Sequence, residues 1–233
     1  MSANSQWPKK LPQLSPEQER IRDDFMRNWH EVLPNHYFII ERFNHGYAAR
    51  SGLAGAKTLE IGAGLGEHLE FEAGQEENYW AVELRGEMAE IIRRRYPQVH
   101  TIVGDCQQRL PLEDASFDRV LAIHVLEHLP DLPSAIAETR RVIKDQGRFV
   151  VLIPCEGGLA YGLARRISAQ RIFERRYKVS YDWCIQSEHL NVPHEIIAEL
   201  TEHFEIVERR YWPLRVPITT ANLVIGLTLR PRG

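Results

Sequence analysis

The chain has 233 residues, 43% of them hydrophobic, and a formal net charge of −3 at pH 7. This length fits one α/β domain with additions better than two full domains. The near-neutral charge argues against a nucleic-acid-binding protein, which is usually strongly basic. The N-terminal sequence MSANSQWPKKLPQL lacks the apolar core of a signal peptide, and no apolar run approaches the ~18 residues that a membrane span needs.

The three cysteines, Cys106, Cys155 and Cys184, are scattered and form no Cys-x-x-Cys pair. An odd, scattered set is typical of a reducing compartment and fits neither a disulfide framework nor a zinc site. Together with the missing apolar leader, the cysteines predict a soluble, cytoplasmic protein without a bound metal.

Two helices are predicted before the first strand, after a polar, proline-punctuated tail (residues 1–14) that we expect to be loose. Ser15 and Gln18 have the spacing of a capping box, which predicts a helix start. Apolar residues follow at helical spacing: Ile21, Phe25, Trp29 and Leu33. Pro34 is expected to end this helix, and a second one is expected over residues 37–50. The pair should pack against the core or cover its ligand.

Strand-like and helix-like segments then alternate. The strand-like segments are KTLEIG, NYWAVEL, HTIVGD, FDRVLAIH and RFVVLIP, and the helix-like ones are EHLEFEAG, GEMAEIIRRRY and LPSAIAETRRVIKD. This alternation predicts an α/β fold with a Rossmann-like, mostly parallel sheet and helices on both faces. Ligands of such sheets bind at the carboxyl ends of the strands, where Glu60, Glu83, Asp105 and His124 fall.

After Pro154 the sequence changes character. Residues 155–192 are rich in Arg, Tyr and Trp and have no clear period, whereas VPHEIIAELTEHF predicts a helix and FEIVERRYWP and NLVIGLTLR predict two final strands. We therefore expect a single domain, 1–233. Its parts are an N-terminal helical cap (15–52), a ligand-binding core (53–157), an insertion (158–192) and a closing helix with two strands (193–233).

The segment TLEIGAGLGEHL carries the most specific local signal. Its glycines, Gly62, Gly64 and Gly66, are spaced G-x-G-x-G, whereas the dinucleotide fingerprint is G-x-G-x-x-G. Glycines permit a sharp turn with positive φ and a close approach to a ligand. Glu60 beside this turn would repel a diphosphate but suits a ligand with an ammonium group and a cationic centre. The pattern thus favours S-adenosylmethionine (SAM) over NAD, and Glu83 follows at about the separation of a ribose-binding acid.

The segment from Ala54 to Gly158 resembles the class I SAM-dependent methyltransferases and is most similar to their small, type 11 group. Four motifs carry the resemblance in order: LEIGAGLG, the strand-end acid Glu83, VGDCQQRLPLEDASFD and FDRVLAIHVLEHL. The resemblance implies a seven-stranded sheet with an antiparallel last strand. It also implies SAM as the cofactor, S-adenosyl-L-homocysteine as its product and a small molecule as the methyl acceptor.

The resemblance also implies which residues hold the cofactor. The backbone of Gly62–Gly64 would lie against the methionine part, and Glu83 would bind the ribose. Asp105 would accept from the adenine amine while the backbone of Cys106 reads the ring, and His124 would lie beside the sulfonium. The full predicted cofactor set is Glu60, Gly62, Ala63, Gly64, Gly66, Glu83, Leu84, Asp105, Cys106 and His124.

The same stretch contains an alternative motif. His124, Glu127 and His128 spell H-x-x-E-H, a metalloprotease signature. A zinc site needs both histidines on one helix face and a third ligand. Here His124 closes an apolar strand, Pro130 leaves the next helix short, and no downstream acid is marked as a third ligand. We expect no metal at this motif.

In methyl transfer, side chains of the protein can serve to remove a proton from the acceptor. An oxygen or an activated carbon acceptor must lose a proton near neutral pH, and histidine is suited to take it. His124 is the first catalytic candidate and His189 the second, while Glu188 could orient His189 or act itself. A packing role for all three remains an alternative, because many related enzymes use no general base. A catalytically silent SAM-binding regulatory protein also remains open, because the motifs report cofactor binding and not turnover.

The segment from Tyr161 to Tyr181 is strongly basic. Its cations are Arg165, Arg166, Arg171, Arg175, Arg176 and Lys178. Arginine forks suit phosphate or carboxylate groups, and the interleaved Ile167, Ile172 and Phe173 allow an amphipathic helix at a membrane surface. A solvated cap helix with core-facing apolar residues is the alternative. We expect this insertion to form an acceptor pocket for an anionic or lipid-linked small molecule. The oligomeric state stays open.

Overall fold

The computed structural model describes residues 7–36, 38–51 and 55–233. In these ranges seven strands form one sheet: β1 (Thr58–Ile61), β2 (Tyr79–Glu83), β3 (His100–Val103), β4 (Phe117–Ile123), β5 (Ile143–Pro154), β6 (Phe204–Trp212) and β7 (Val224–Pro231). Their order is β3-β2-β1-β4-β5-β7-β6. The first five strands are parallel, and β7 is antiparallel to both of its neighbours. The predicted Rossmann-like sheet with an antiparallel last strand is confirmed.

Helices cover both faces of this sheet. The helices of the described ranges are α1 (Pro16–His36), α2 (Phe38–Ala49), α3 (Gly86–Arg95), α4 (Leu132–Val142), α5 (Leu159–Ile167), α6 (Ala169–Tyr177), α7 (Asp182–Glu188) and α8 (Pro193–His203). The buried side chains of α1, α6 and α7 pack on one another in a cluster apart from the sheet. Apolar side chains of α4 and α8 belong to one buried cluster, and those of α2 and α3 belong to another. The central strands are apolar on both sides because both faces are covered. No helix in the described ranges is long and apolar enough to cross a membrane.

The start of α1 is as predicted. The backbone N–H of Gln18 donates to the hydroxyl of Ser15 at 3.2 Å, and the N–H of Ser15 donates to the Gln18 side chain at 2.8 Å. These reciprocal bonds are the predicted capping box. The helix, however, continues through Pro34 to His36. A proline inside a helix removes one hydrogen bond, and this loss need not end the helix.

Other expectations for the N-terminal part have mixed outcomes. The tail is not loose over its described residues, because the Trp7 indole donates to Glu199 at 3.1 Å and Lys9 pairs with Glu195 at 2.6 Å. Phe25 packs edge-on against Phe173, with ring centroids 5.0 Å apart. The remaining expectations lie outside the described residues or side chains: residues 1–6, Trp29, Leu33, Tyr37 and Gly52.

Three segments differ from the predicted elements. The segment EHLEFEAG forms a 3₁₀ helix over Glu67–Phe71, whose N-cap Gly66 has left-handed backbone and no side-chain cap. Strand β5 begins already at Ile143, which pairs with Phe117 directly after α4 ends. The irregular-looking residues 155–192 contain the three short helices α5, α6 and α7. Short helices that pack on neighbours need little periodicity of their own, because tertiary contacts stabilise them.

A buried polar chain joins α2 to the sheet. The guanidinium of Arg119 in β4 lies 2.7 Å from the carboxylate of Glu72, which also contacts His68 at 2.9 Å. The ring nitrogen Nδ1 of His68 lies 3.2 Å from that of His45 in α2. Buried charges are tolerated when they are paired and hydrogen-bonded. This chain fixes α2 across the 3₁₀ segment that follows the glycine turn.

Candidate active site

The glycine turn lies between the ends of β1 and β2 and the segment after β4. Gly62, Gly64 and Gly66 have φ values of 67°, 58° and 80°, which L side chains rarely adopt. A Cβ on Gly62 would lie 2.5 Å from Cγ2 of Val125. The N–H groups of Gly62 and Ala63 both donate to the carbonyl of Val82, at 2.8 and 3.1 Å. Only glycine fits this turn at Gly62, for reasons of both conformation and space.

Glu83, at the end of β2, is bonded to this turn. Its carboxylate accepts from the backbone N–H of Gly64 at 3.0 Å and from the N–H and Nε of Arg85 at 3.0 and 3.1 Å. The Glu83 side chain is almost fully buried, whereas the next residue, Leu84, is 64% exposed. An exposed apolar side chain beside a buried strand-end acid leaves a surface that a flat apolar ring could cover.

The next strand end brings Asp105 and Cys106 to the same edge. The N–H of Gly104 donates to the carbonyl of Glu83 at 3.1 Å, which aligns the ends of β2 and β3. One carboxylate oxygen of Asp105 accepts from the N–H and the side-chain amide of Gln107, at 2.9 and 3.0 Å. The Cys106 thiol is buried, and burial raises its pKa to about 12, so it stays neutral.

Glu60 has a more interior position than Glu83. Its carboxyl group is 3% exposed and accepts from the Tyr79 hydroxyl at 2.9 Å. Burial raises the pKa of Glu60 to about 8. At neutral pH this carboxyl group is therefore mostly protonated and uncharged. It can attract the positively charged ligand expected from the sequence only if that cation, once bound beside it, lowers the pKa of Glu60 again.

His124 follows β4 at the same sheet edge, with a strained backbone. Its φ of 54° is unusual for a residue with a side chain, and such strain is concentrated at functional sites. Nδ1 of His124 lies 3.1 Å from a carboxylate oxygen of Glu127, whose side chain is 1% exposed. Burial acts to lower the pKa of His124, but the hydrogen bond and charge of Glu127 outweigh it and raise that pKa. The same bond keeps Glu127 ionised by lowering its pKa, although burial opposes this.

His189 has a carboxylate partner that the sequence did not indicate. Its Nδ1 lies 2.8 Å from Oε2 of Glu156, just past the end of β5, and the other carboxylate oxygen of Glu156 accepts from Arg165. Burial acts to raise the pKa of Glu156, but the bonds and charges of His189 and Arg165 outweigh it and lower that pKa. Glu156 therefore stays ionised at neutral pH.

Glu188 does not orient His189. It ends α7 immediately before His189, and its carboxylate lies 3.7 Å from Nε of Arg22 and 3.9 Å from Nδ1 of His128. Adjacent residues where a helix ends project in different directions, so the two side chains take different partners. Glu188 contributes through its backbone carbonyl, which accepts from Nδ1 of His128 at 2.7 Å.

Two further rings, those of His128 and Tyr161, lie beside His189. The His128 and His189 rings meet edge to face with centroids 5.0 Å apart, and the Tyr161 ring lies 6.5 Å from that of His189. Burial lowers the pKa of His128, so this imidazole is neutral at pH 7, and burial raises the pKa of the Tyr161 hydroxyl. Sequence reasoning missed Glu156, Arg165 and Tyr161 as partners of His189. The strand-end rule could have found Glu156, because it follows β5 directly.

Three buried polar atoms in this part of the described structure have no hydrogen-bond partner: Oε2 of Glu127, Nε of Arg165 and Oδ1 of Asn191. Buried polar groups normally have partners, so such atoms mark places where a polar ligand can bind. The H-x-x-E-H residues do lie together, but no group of three or more His, Cys, Asp or Glu residues in the described ranges could hold a metal ion.

Comparison with known proteins agrees with the geometry. A family model described as a methyltransferase domain matches residues 59–151. A sterol 4-C-methyltransferase of Caenorhabditis elegans is 30% identical over 99 residues, covering 40% of this chain and 29% of that protein. A malonyl-[acyl-carrier protein] O-methyltransferase of Serratia marcescens is 31% identical over 93 residues, covering 40% and 36%.

A solved structure extends the likeness to nearly the whole chain. A SAM-dependent methyltransferase from Thermotoga maritima superposes with a TM-score of 0.64 at 20% identity, covering 91% of this chain and 98% of that one. This structural likeness shows the fold. The fold is that of the class I SAM-dependent methyltransferases, and residues 59–151 match the methyltransferase domain model. The chain spans about a third of the length of the two curated relatives above.

Proposed function

We propose that the chain transfers a methyl group from SAM to an oxygen, nitrogen or activated carbon atom of a small molecule, and that the acceptor is anionic or lipid-linked. One observation carries this proposal. The glycine turn with its bonded acid Glu83 and the carboxylate–histidine pair Glu156–His189 lie at the same edge of one sheet. The first suits a nucleoside, and the second suits a proton acceptor at the same edge.

The residues of this edge fit SAM. Glycines with positive φ leave no Cβ between the backbone and a ligand. A carboxylate has about four lone-pair positions, so Glu83 can accept from ribose hydroxyls while it keeps its bond from Gly64. Asp105 uses one oxygen for Gln107 and can offer the other to the adenine amine. The exposed side chain of Leu84 can pack against the adenine face.

When bound, SAM supplies an electrophilic methyl carbon on a positively charged sulfur, so the protein needs mainly to orient the acceptor and exclude water. His189 is suited to take the proton of an acceptor hydroxyl. Because its Nδ1 is held by the carboxylate of Glu156, Nδ1 carries the hydrogen and Nε2 is left as the proton acceptor. Glu156 is then a positioning residue that also stabilises the imidazolium which forms.

His124 has a second role in this proposal. Its strained position at the end of β4 directs the chain into the segment that packs on Gly62, through Val125. The Glu127 carboxylate fixes the ring through Nδ1. We assign His124 to the wall of the methyl-transfer site, next to the cofactor, and Glu127 to holding it there.

The charges around His189 indicate the class of acceptor. Arg165 has a buried Nε without a partner in the described structure, on a guanidinium already fixed by Glu156. A guanidinium N–H that is desolvated and held in place suits a carboxylate or phosphate oxygen. The names of the two curated relatives, a sterol and an acyl-carrier-protein methyltransferase, add weight to lipid-related acceptors.

The test has two steps. Titration calorimetry with SAM and S-adenosylhomocysteine should show binding of both. Methyl-labelled SAM is then incubated with the protein and fractionated cell extract, and we expect label in the lipid fraction or among anionic small molecules. Binding without any labelled product would instead assign the chain to catalytically silent SAM-binding proteins. Absence of binding would overturn the proposal entirely.

A further inference from the structure

Helix α5 has an apolar face that is open to solvent. Leu159, Leu163 and Ile167 follow one another every four residues and so lie along one side of the helix. Their exposed fractions are 82%, 62% and 67%. Single exposed apolar residues are ordinary, but a row of three large ones indicates a surface that becomes covered in use.

The opposite face of α5 belongs to the acceptor side of the active site. Tyr161 and Arg165, offset by two residues from the apolar row, contact His189 and Glu156. At about 100° per residue, this offset places them on the far side of the helix. The apolar row therefore lies on the solvent-facing side of α5, and the opposite side of this helix lines the proposed acceptor site.

The loop before β7 extends the apolar surface. Leu214, Val216 and Ile218 are 59%, 38% and 52% exposed. This loop meets the start of α5, because a Cβ on Gly158 would lie 2.9 Å from the carbonyl oxygen of Thr219. We call these six side chains the apolar rim: Leu159, Leu163, Ile167, Leu214, Val216 and Ile218.

A basic groove lies beside the apolar rim, on the last turn of α5 and on α6. It has a volume of about 410 Å³ and is lined by Arg166, Gln170, Arg171, Glu174, Arg175 and Lys178. None of its four cations has an ion pair with an acid in the described ranges, whereas Arg165 pairs with Glu156 and Arg176 with Asp24. Glu174 already accepts from Gln170 and from the N–H of Tyr181. The groove therefore presents unpaired positive charge.

We propose that the apolar rim and the basic groove dock on an anionic phospholipid bilayer. Apolar side chains enter the interface, and adjacent cations bind the lipid phosphates. A second copy of the chain would place like charges of two grooves near each other, and a nucleic acid would leave the apolar rim uncovered. An anionic bilayer matches both features. Docking does not depend on methyl transfer, but delivery of a lipid-linked acceptor from the bilayer rests on the proposed function.

The test is vesicle sedimentation with the full chain. We expect binding to vesicles of phosphatidylcholine mixed with phosphatidylglycerol, little binding to phosphatidylcholine alone, and weaker binding at high salt because screening reduces the attraction. Leu163→Glu, and separately the double variant Arg171→Glu/Arg175→Glu, should each weaken vesicle binding by about tenfold or more.

Two matched controls make the same changes in charge elsewhere: Val207→Glu replaces an exposed apolar side chain of β6, and Arg93→Glu/Arg94→Glu reverses two cations on α3. Both should keep vesicle binding. Equal binding by all variants, or no binding to mixed vesicles, would overturn the proposal. A dimer in sedimentation velocity that Leu163→Glu dissociates, without vesicle binding, would assign the rim to a second copy. Titration with SAM verifies that each variant is folded. A protein that binds SAM but not vesicles would contradict the docking proposal alone and leave the proposed function standing.

Discussion

Nδ1 of His189 and the carboxylate of Glu156 lie 2.8 Å apart, although 33 residues separate them in the chain. The bond connects the end of β5 to the segment between α7 and α8. It fixes one imidazole tautomer and leaves the other nitrogen available, which is the arrangement of a positioned general base. The same carboxylate binds Arg165 on α5, so one residue orients both the proposed base and a cation of the proposed acceptor site.

The first prediction concerns this pair. Glu156→Gln removes the charge that stabilises the imidazolium and no longer selects the tautomer, so kcat should fall about 10- to 100-fold. The Kd for SAM should stay unchanged, because Glu156 belongs to the proposed acceptor site and not to the proposed cofactor site. Steady-state kinetics with the acceptor, combined with calorimetry for SAM, measures both values.

Two variants control this measurement. Glu156→Asp keeps the charge and should recover part of kcat, which a merely structural role would not predict. Glu202→Gln changes an exposed carboxylate on α8 and should behave as wild type. If Glu156→Gln turned over at the wild-type rate, the pair would have no part in proton transfer.

The second prediction concerns Glu83. Glu83→Gln keeps an acceptor for the N–H of Gly64 but loses the charge and the pairing with Arg85. Hydrogen bonds to a charged group contribute about 1.5–3 kcal/mol, so the Kd for SAM should rise about 10- to 100-fold. Calorimetry measures it, with Glu87→Gln on the exposed first turn of α3 as the matched control. An unchanged Kd would remove Glu83 from the cofactor site.

The sheet could be predicted because its information is local and periodic. Apolar strand segments, glycines after β1 and acids at strand ends all lie in short stretches of sequence. The pairing of His189 could not be predicted. The strand-end rule places Glu156 at this edge of the sheet, but only tertiary packing brings His189, 33 residues further along the chain, to it. The same reason applies to Glu60, whose charge state depends on burial beside Tyr79. Sequence shows which groups exist, and burial decides which of them are ionised.

The third prediction concerns Gly62. Gly62→Ala places a Cβ 2.5 Å from Val125 at a φ of 67°. Positive φ costs about 1–2 kcal/mol and overpacking about 1–3 kcal/mol, so we expect the free energy of unfolding to fall by about 2–4 kcal/mol in urea titrations. Gly46→Ala is the matched control, because its Cβ would meet nothing within 4 Å and it lies inside α2. Adding Val125→Ala to Gly62→Ala should restore part of the loss, and no recovery would show that the contact with Val125 is not the cause.

The fourth prediction concerns the pH dependence of stability. The pKa of Glu60 is raised to about 8 in the folded chain, while an unfolded glutamate titrates near 4.3. The contribution of this group to stability is complete below the unfolded pKa and is lost as pH rises to the folded pKa, by about 1.4 kcal/mol per pH unit. The wild type should therefore lose stability relative to Glu60→Gln as the pH rises from 5 to 8, so the difference between their free energies of unfolding should shift in favour of the variant. Urea unfolding at several pH values measures the difference, and parallel curves would show that Glu60 is ionised in the folded state.

The last prediction tests whether Glu60 faces the cofactor. In the free protein at pH 7 its carboxyl group is mostly protonated, because burial raises its pKa to about 8. A cation that binds beside it would lower that pKa, so SAM binding should release up to about one proton at pH 7 and fewer at pH 9. Calorimetry in two buffers of different ionisation enthalpy counts the protons, and Glu60→Gln should abolish the release. If the wild type released no proton, Glu60 would belong to the interior with Tyr79 alone. The attraction for the cofactor would then have to come from Glu83 and Asp105, since these two carboxylates lie at the same edge of the sheet as the glycine turn.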